Sequence, residues 1–379
     1  MKVNSPIPFN KACLAGREKE YMQDALARGH IAGNGDYTKR CEALLEKTVG
    51  VSRALLTTSC THALEMTGLL LDLQPGDEVI LPSFTFVSTA NAYALRGARL
   101  VFCDIRPDTL NLDERILPAL ITPRTKAIVV VHYGGVGCAM NEIMDICQRR
   151  GVALIEDNAH GLFGKYQGRQ LGTFGAMSTL SFHETKNFTC GEGGALLIND
   201  AKYVERAEII REKGTNRARF FRGLVDKYTW VEVGSSYVVS DLLAGMLLGQ
   251  LEAREEIQGR RKAVWERYQA AFHPWKGPAQ MVTPTVPVDC GQAYHLYYLL
   301  LTDVAARDRF IGESKAAGMT CPFHYVPLHL SPAGLRMGGR ESLCPVTENI
   351  SPRLVRLPFY GDLTREEQER VIDLVLKFK

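Results

Sequence analysis

The sequence contains no run of ~18 apolar residues such as a membrane-spanning helix requires. Its first stretch, Met1–Gly16, carries Lys2, Pro6, Pro8 and Lys11 where a secretory leader would need ~7–15 consecutive apolar residues. Blocks of like charge are missing too. The 45 Lys and Arg are interspersed with 42 Asp and Glu, leaving a formal net charge of +3. A duplex-binding surface needs a concentrated basic face, so nucleic acid is not expected as a partner. The ten cysteines, scattered from Cys13 to Cys344, form no CxxC pair. In a chain of 379 residues that pattern indicates free thiols in a reducing compartment rather than a disulfide framework or a zinc site. The expectation is therefore a cytoplasmic protein with no metal centre. Internal repeats, low-complexity segments and the G-x-G-x-x-G dinucleotide fingerprint are also absent.

What the sequence has is alternation. Short β-rich runs at Arg53–Thr58, Glu78–Leu81, Ala98–Phe102, Lys126–Val131, Val152–Glu156, Ser178–Phe182 and Ala195–Ile198 are bounded by Gly, Pro or polar turns. Several are apolar on both faces, as in a sheet covered by helices on each side. Helical patterns lie between them at Thr61–Leu73, Val87–Arg96, Glu114–Leu120 and Asn141–Arg150. The spacing predicts an α/β fold with a mostly parallel sheet. From about Ser240 the texture changes. Asp241–Phe272 reads as long helical structure, and Pro274, Pro278, Pro284 and Pro287 mark a connector. A smaller α+β unit follows, with strand-like Tyr294–Leu301, helix-like Ala305–Ala317 and a final helix from Arg365 to Lys379. The expected division is a large α/β domain over 1–250 and a small domain over 251–379.

Open parallel sheets bind ligands at the carboxyl ends of their strands, and three strand ends here carry unusual chemistry. Ser59, an N-cap residue, precedes Cys60, Thr61 and an apolar helix, whose free amides would attract a phosphate. Read alone, this segment is more readily a plain capped helix. Asp157 closes a buried strand, where a carboxylate needs a cationic or hydrogen-bonding partner; capping of the next turn would also account for it. Lys186 follows a strand and precedes the glycine-rich Gly191–Gly194 turn. A lone lysine is ordinarily a solvated charge, but desolvation lowers its pKa and makes it a nucleophile. Together the three ends supply a phosphate cradle, an acid to face a ring nitrogen and an amine, the parts that pyridoxal 5′-phosphate (PLP) requires of a protein.

Ser59-Cys60-Thr61, Asp157-x-x-His160 and Ser181-Phe182-His183-x-x-Lys186, in that order, resemble the DegT/DnrJ/StrS sugar aminotransferase family, of aspartate-aminotransferase (type I) fold. The similarity extends over essentially the whole chain, through Pro75–Val79, Pro82–Phe86, Val131–Gly135 and His324–His329. It implies that Lys186 binds the cofactor covalently, Asp157 pairs with the pyridine nitrogen, Phe86 stacks on the ring and His160 sits beside it. Ser59, Cys60, Thr61 and Ser181 would hold the phosphate. A homodimer with shared active sites is implied as well. The family commonly has Gly-x-Asn-Tyr where this chain has Gly234-Ser235-Ser236-Tyr237, so Ser236 would replace the cross-subunit Asn.

Ser181–Asn187, Ile209–Arg217 and Asp226–Trp230 with Gly234–Tyr237 resemble members that aminate C4 of a dTDP-linked 6-deoxy-4-keto sugar with L-glutamate. Other nucleotide-linked keto sugars are the alternative. Tyr325 and His329 are expected to face the substrate, or else to form a buried aromatic–proline turn. Arg217 and Arg222, interleaved with Phe220 and Phe221, are expected to bind the nucleotide's phosphates, or else to serve solubility. PLP-dependent sugar dehydrases related to the family have His in place of the lysine, whereas this chain has Lys186.

Overall fold

The computed structural model describes residues 5–275 and 277–379; residues 1–4, including Lys2, and residue 276 lie outside the described residues. Seven strands form the main sheet: β1 Arg53–Thr57, β2 Glu78–Pro82, β3 Arg99–Cys103, β4 Thr125–Val131, β5 Ala153–Asp157, β6 Met177–Ser181 and β7 Gly194–Ile198. Their spatial order is β1-β7-β6-β5-β4-β2-β3. β2 to β6 run parallel, and only β7 opposes its neighbours β1 and β6.

Alternate residues of the central strands enter separate cores. Val79, Leu81, Val129 and Ile155 pack into one, with Ala63, Leu64 and Met66 of the first β–α helix. Ile80, Ile128, Val130 and Leu154 pack into the other, with Ile143 and Ile146. A strand buried on both faces cannot show the half-polar alternation of an exposed sheet, which is why these runs read as continuously apolar.

The helices that matter for the site are α1 Cys60–Leu70, α2 Val87–Ala94, α3 Met140–Arg150, α4 Asp241–Glu252, α5 Arg254–Phe272, α6 Val304–Ala316 and α7 Arg365–Lys377. The expected helical stretch over 241–272 is two helices, broken at Ala253 (φ −86°, ψ 14°). α4 packs into the large-domain core. α5 supplies Val264, Trp265, Tyr268 and Phe272 to a second core with Phe310, Val371 and Phe359. That second unit contains an antiparallel pair, β8 Tyr298–Leu300 and β9 Leu354–Arg356.

Two expectations need correction. The first residues of the chain belong with the second core. Ile7 is buried in it and bridges to Met319, and the Phe9 carbonyl accepts the Phe359 amide at 2.9 Å. The strand expected over 294–301 is also shorter, because Ala293 and His295 donate their amides to Gly135 and Gly134 of the large domain. This detour carries His295 to the cavity described below.

β5 ends in two consecutive buried carboxylates, and the pleat sends them to opposite faces. Glu156, fully buried, accepts from the amides of Gly172 (2.8 Å), Phe174 (2.7 Å) and Gly175 (2.7 Å), and pairs with His132 Nε2 at 3.0 Å. It holds the 172–175 loop against the sheet. Glu156→Ala should therefore strand several buried donors and lower stability by at least ~3 kcal/mol, measured by chemical denaturation. A loss below ~1 kcal/mol would show that the loop does not depend on this carboxylate.

Candidate active site

A cavity of about 870 Å³ opens at the carboxyl ends of β4, β5 and β6 and is roofed by residues of the second unit. Asp157, the other member of the β5 pair, lines it. This carboxylate is buried, with Oδ2 accepting from Thr89 Oγ1 at 2.7 Å and Oδ1 from the Ala159 amide at 3.2 Å. No Lys, Arg or His lies within ion-pair distance of it among the described residues. Burial pushes its pKa up, against the hydrogen bonds from Thr89 and Ala159 and the charge of Lys186. Glu156 has a full set of donors, whereas Asp157 lacks a cation. The structure thus distinguishes two carboxylates that are adjacent in sequence.

Lys186 lies across the same space, in the turn that follows β6, with its amide on the His183 carbonyl at 2.9 Å. Desolvation pulls its pKa below the ordinary lysine value, while Cys60 and Asp157 pull it back up. An amine in that state spends a larger fraction of time unprotonated and able to take a proton or attack a carbonyl.

Three histidines stand beside it. The rings of His160 and His295 stack with centroids 4.0 Å apart, and His324 lies 6.2 Å from His160. Burial depresses all three, so they are neutral near pH 7. His160 Nδ1 accepts from the Gly134 amide at 3.4 Å, which leaves Nε2–H to face the Tyr325 hydroxyl, also at 3.4 Å. His295 is oriented by Asn187 Oδ1 at 2.8 Å.

Tyr325 itself has φ +31°, a left-handed conformation that is costly for an aromatic residue. Its carbonyl is held by the Ser351 hydroxyl, and its ring packs edge-on against Phe84 at 5.4 Å. Phe86, 57% exposed, stands at the cavity wall 6.4 Å from Tyr325.

The β1–α1 turn makes the remaining wall. Ser59 caps α1 by accepting the His62 amide at 3.1 Å, and Thr61 Oγ1 meets Ser88 Oγ at 2.7 Å. Cys60 and Thr61 begin the helix, so their amides have no intrahelical acceptor and point outward as an anion site. Ser181, at the end of β6, borders the same space. Gly194 makes the close approach possible: a Cβ there would stand 2.3 Å from the Ser59 carbonyl carbon and 2.4 Å from the Cys60 nitrogen.

The structure thus brings together Ser59, Cys60, Thr61, Phe86, Asp157, His160, Ser181, Lys186 and Tyr325. It does not bring in His329. That residue is fully buried behind the wall, between Ser83 Oγ at 2.5 Å and Glu348 at 2.9 Å, because the turn after Pro327 points its ring into the protein. Arg217, Arg222 and Ser236 also lie outside the chain's own cavity. Arg222 is held by both oxygens of buried Glu208, at 2.6 and 2.7 Å, and Arg217 lies over the Phe221 ring at 5.2 Å. Sequence reasoning missed Thr89, His295 and Arg356. The first two carry no local signal. Arg356 does, as a lone charge inside the apolar run Leu354–Phe359.

The profile of the DegT/DnrJ/EryC1/StrS aminotransferase family matches residues 12–376. The chain belongs to that family. The spore coat polysaccharide biosynthesis protein SpsC of Bacillus subtilis is 32% identical to it over 99% of this chain and 97% of its own. Among solved structures, the aminotransferase TlmJ from Streptoalloteichus hindustanus superposes with a TM-score of 0.88 at 32% identity, covering 98% of this chain and 97% of TlmJ. The PLP form of Spr1654 from Streptococcus pneumoniae gives a TM-score of 0.91 at 25% identity over 98% of both chains. The protein is thus a sugar aminotransferase of type I fold, and its cofactor is PLP.

The cavity of the aminotransferase fits that cofactor. It holds a buried carboxylate without a cation, an amine of lowered pKa, and a helix start that only a glycine lets the sheet approach. Gly194→Ala should push the Ser59–Cys60 turn outward, destabilise the protein by ~1–3 kcal/mol and weaken PLP retention. Dialysis followed by absorbance measures the retention, and undiminished PLP content would contradict the tight approach.

Proposed function

We propose that this aminotransferase converts dTDP-4-dehydro-6-deoxy-D-glucose and L-glutamate into dTDP-4-amino-4,6-dideoxy-D-galactose and 2-oxoglutarate. Support for an amination comes from one observation above the others, the facing pair of Lys186 and Asp157 in a cavity large enough for a cofactor and a hexose. Support for this sugar comes from the resemblance of the segments Ser181–Asn187 and Ile209–Arg217 to C4-aminating members of the family. PLP, when bound, supplies the electron sink for the pair left on the donor's Cα.

The residues then have distinct tasks. Lys186 removes the proton from Cα of the donor and, in the second half-reaction, delivers a proton to C4 of the sugar. Asp157 stays ionised against the ring nitrogen, and Thr89 and Ala159 fix its two oxygens. Ser59, Cys60, Thr61 and Ser181 bind the phosphate, while Phe86 and His160 confine the ring. Neutral His160 and Tyr325 offer a hydrogen-bonding surface that adds no charge beside Lys186.

The reading includes a homodimer with shared sites. One segment concentrates exposed large apolar side chains: Phe221 (69%), Leu224 (61%), Tyr228 (54%) and Trp230 (73%). A patch of this kind favours burial against another surface. A second copy would cover it and carry Ser236 and Arg217 toward the neighbouring cavity. Arg222, engaged with Glu208, is the less available of the two arginines.

Product analysis by NMR, after incubation with glutamate and the keto sugar nucleotide, tests the substrate. An equatorial C4 amine, or turnover only of a UDP-linked sugar, would replace this reading with the alternative. Lys186→Ala should keep the fold by circular dichroism but lose the visible absorbance of lysine-linked cofactor and all transamination. Asp157→Asn should still bind PLP yet lose roughly 10²-fold or more in kcat, and unchanged kcat would refute its role. Arg217→Ala should raise the KM for the sugar nucleotide by roughly 10- to 150-fold and leave the glutamate half-reaction unchanged. Equal damage to both halves would assign Arg217 to the fold or the dimer.

A further inference from the structure

Residues 293–295 leave the second unit to reach the cavity, and costly features hold the detour in place. Arg261 of α5 donates from Nε to the Tyr294 carbonyl at 2.9 Å and from Nη2 to the His295 carbonyl at 2.6 Å. This guanidinium is buried, and no carboxylate lies within ion-pair distance of it among the described residues. A buried cation with only carbonyls for partners is expensive. Tyr294 has φ +53°, a left-handed conformation that is also costly for an aromatic residue. On the large-domain side the amides of Ala293 and His295 donate to Gly135 and Gly134, at 2.8 and 3.3 Å. Only glycine fits at 135, where a Cβ would stand 2.9 Å from the Ala293 Cβ and 3.0 Å from the His160 carbonyl oxygen.

These contacts deliver one imidazole. Asn187, the neighbour of Lys186, gives its Nδ2 to the Ala293 carbonyl at 2.6 Å, an oxygen that can only accept. Its Oδ1 therefore faces His295 Nδ1 at 2.8 Å, and that nitrogen carries the ring hydrogen. Burial depresses the His295 pKa, so the ring is neutral and Nε2 holds only a lone pair. The ring fixed in this way lies over His160, with centroids 4.0 Å apart and planes 21° from parallel. The bonds that His160 makes for itself, with the Gly134 amide and the Tyr325 hydroxyl, are both 3.4 Å long. Contacts of that length restrain a ring weakly, and the stack supplies the restraint they lack.

We propose that His295, locked by Asn187, is a positioning residue that sets the plane of the His160 ring beside the cofactor. A side chain that only filled space could be Leu or Phe, and would need neither an N–H partner nor a buried guanidinium to present it. Because Asn187 adjoins Lys186, the same lock ties the turn that carries the amine to the ring stack. Lys186 and His160 thus keep one relation to each other while donor and sugar exchange in the cavity.

This inference rests on the reading that puts His160 beside the cofactor, and the test separates the two. The PLP-loaded enzyme is followed by the visible circular dichroism of the bound cofactor, which reports how its ring is held, and by kcat and KM. His295→Ala leaves the backbone bonds of 293–295 in place, so PLP content and Tm should stay close to wild type. The dichroism should change and kcat should fall roughly 10- to 100-fold, with the sugar-nucleotide KM little altered. His160→Ala should do the same, and the double variant should be worse than His160→Ala by no more than ~2-fold, because both act through one ring. His295→Phe keeps a flat face against His160 but not the donor to Asn187, and should show a smaller change in the same direction. A Phe variant indistinguishable from wild type overturns the proposal, and this comparison decides the matter if the Ala variant fails to fold. No effect of His160→Ala on dichroism or kcat removes the placement of His160 and this proposal with it. An effect of His160→Ala with none from His295→Ala overturns this proposal alone. So do losses that multiply in the double variant, which would give His295 a separate task.

Discussion

Two carboxylates leave the end of β5 in succession, and the site depends on their leaving in opposite directions. Glu156 enters the core behind the sheet, where three amides and His132 satisfy it. That bonding fixes the end of the strand and the loop beyond it. Asp157 is thereby pointed into the cavity with one hydroxyl and one amide as its partners. The first carboxylate gives rigidity, and the second is left buried with no cation at ion-pair distance among the described residues. A negative charge in that condition favours a protonated ring nitrogen in front of it, which is the electronic requirement of PLP chemistry.

The rest of the cavity follows from how the sheet meets its neighbours. β7 runs against the other strands and brings Gly194 against the Ser59–Cys60 turn, so the start of α1 sits beside Lys186. The second unit then closes over these strand ends. Its contribution among the described residues is largely aromatic and neutral: His295, His324 and Tyr325, with the cation Arg356. The two walls thus differ in chemistry. The sheet side holds groups suited to the cofactor, and the opposite side holds groups suited to a substrate that must exchange between halves of the reaction.

Much of this was legible in the sequence because the signals are local. The seven strands were readable as short apolar runs, since burial on both faces suppresses polar alternation. Ser59, Asp157 and Lys186 could be picked out because each sits at a strand end, where chain direction alone puts a side chain at the ligand edge of a parallel sheet. His329 was misplaced because a turn's sequence does not reveal which way its ring faces. Pro327 sets the backbone, but Ser83 and Glu348, distant in sequence, decide that the imidazole points inward. The helix over 241–272 divides at Ala253 because its two halves pack into different cores, which no local propensity records.

By itself, then, the sequence determined the alternation of strand and helix, the parallel sheet, and the identity of the amine and the acid at its edge. Those depend on periodicity and on chemistry confined to a few neighbouring residues. Tertiary structure alone decided how Glu156 is satisfied behind the sheet and that residues 7–9 join the second unit. It also decided that Thr89, His295 and Arg356 enter the cavity. Each of these is a contact between segments far apart in the chain, and its free energy comes from burial and hydrogen bonding that exist only once both segments are in place.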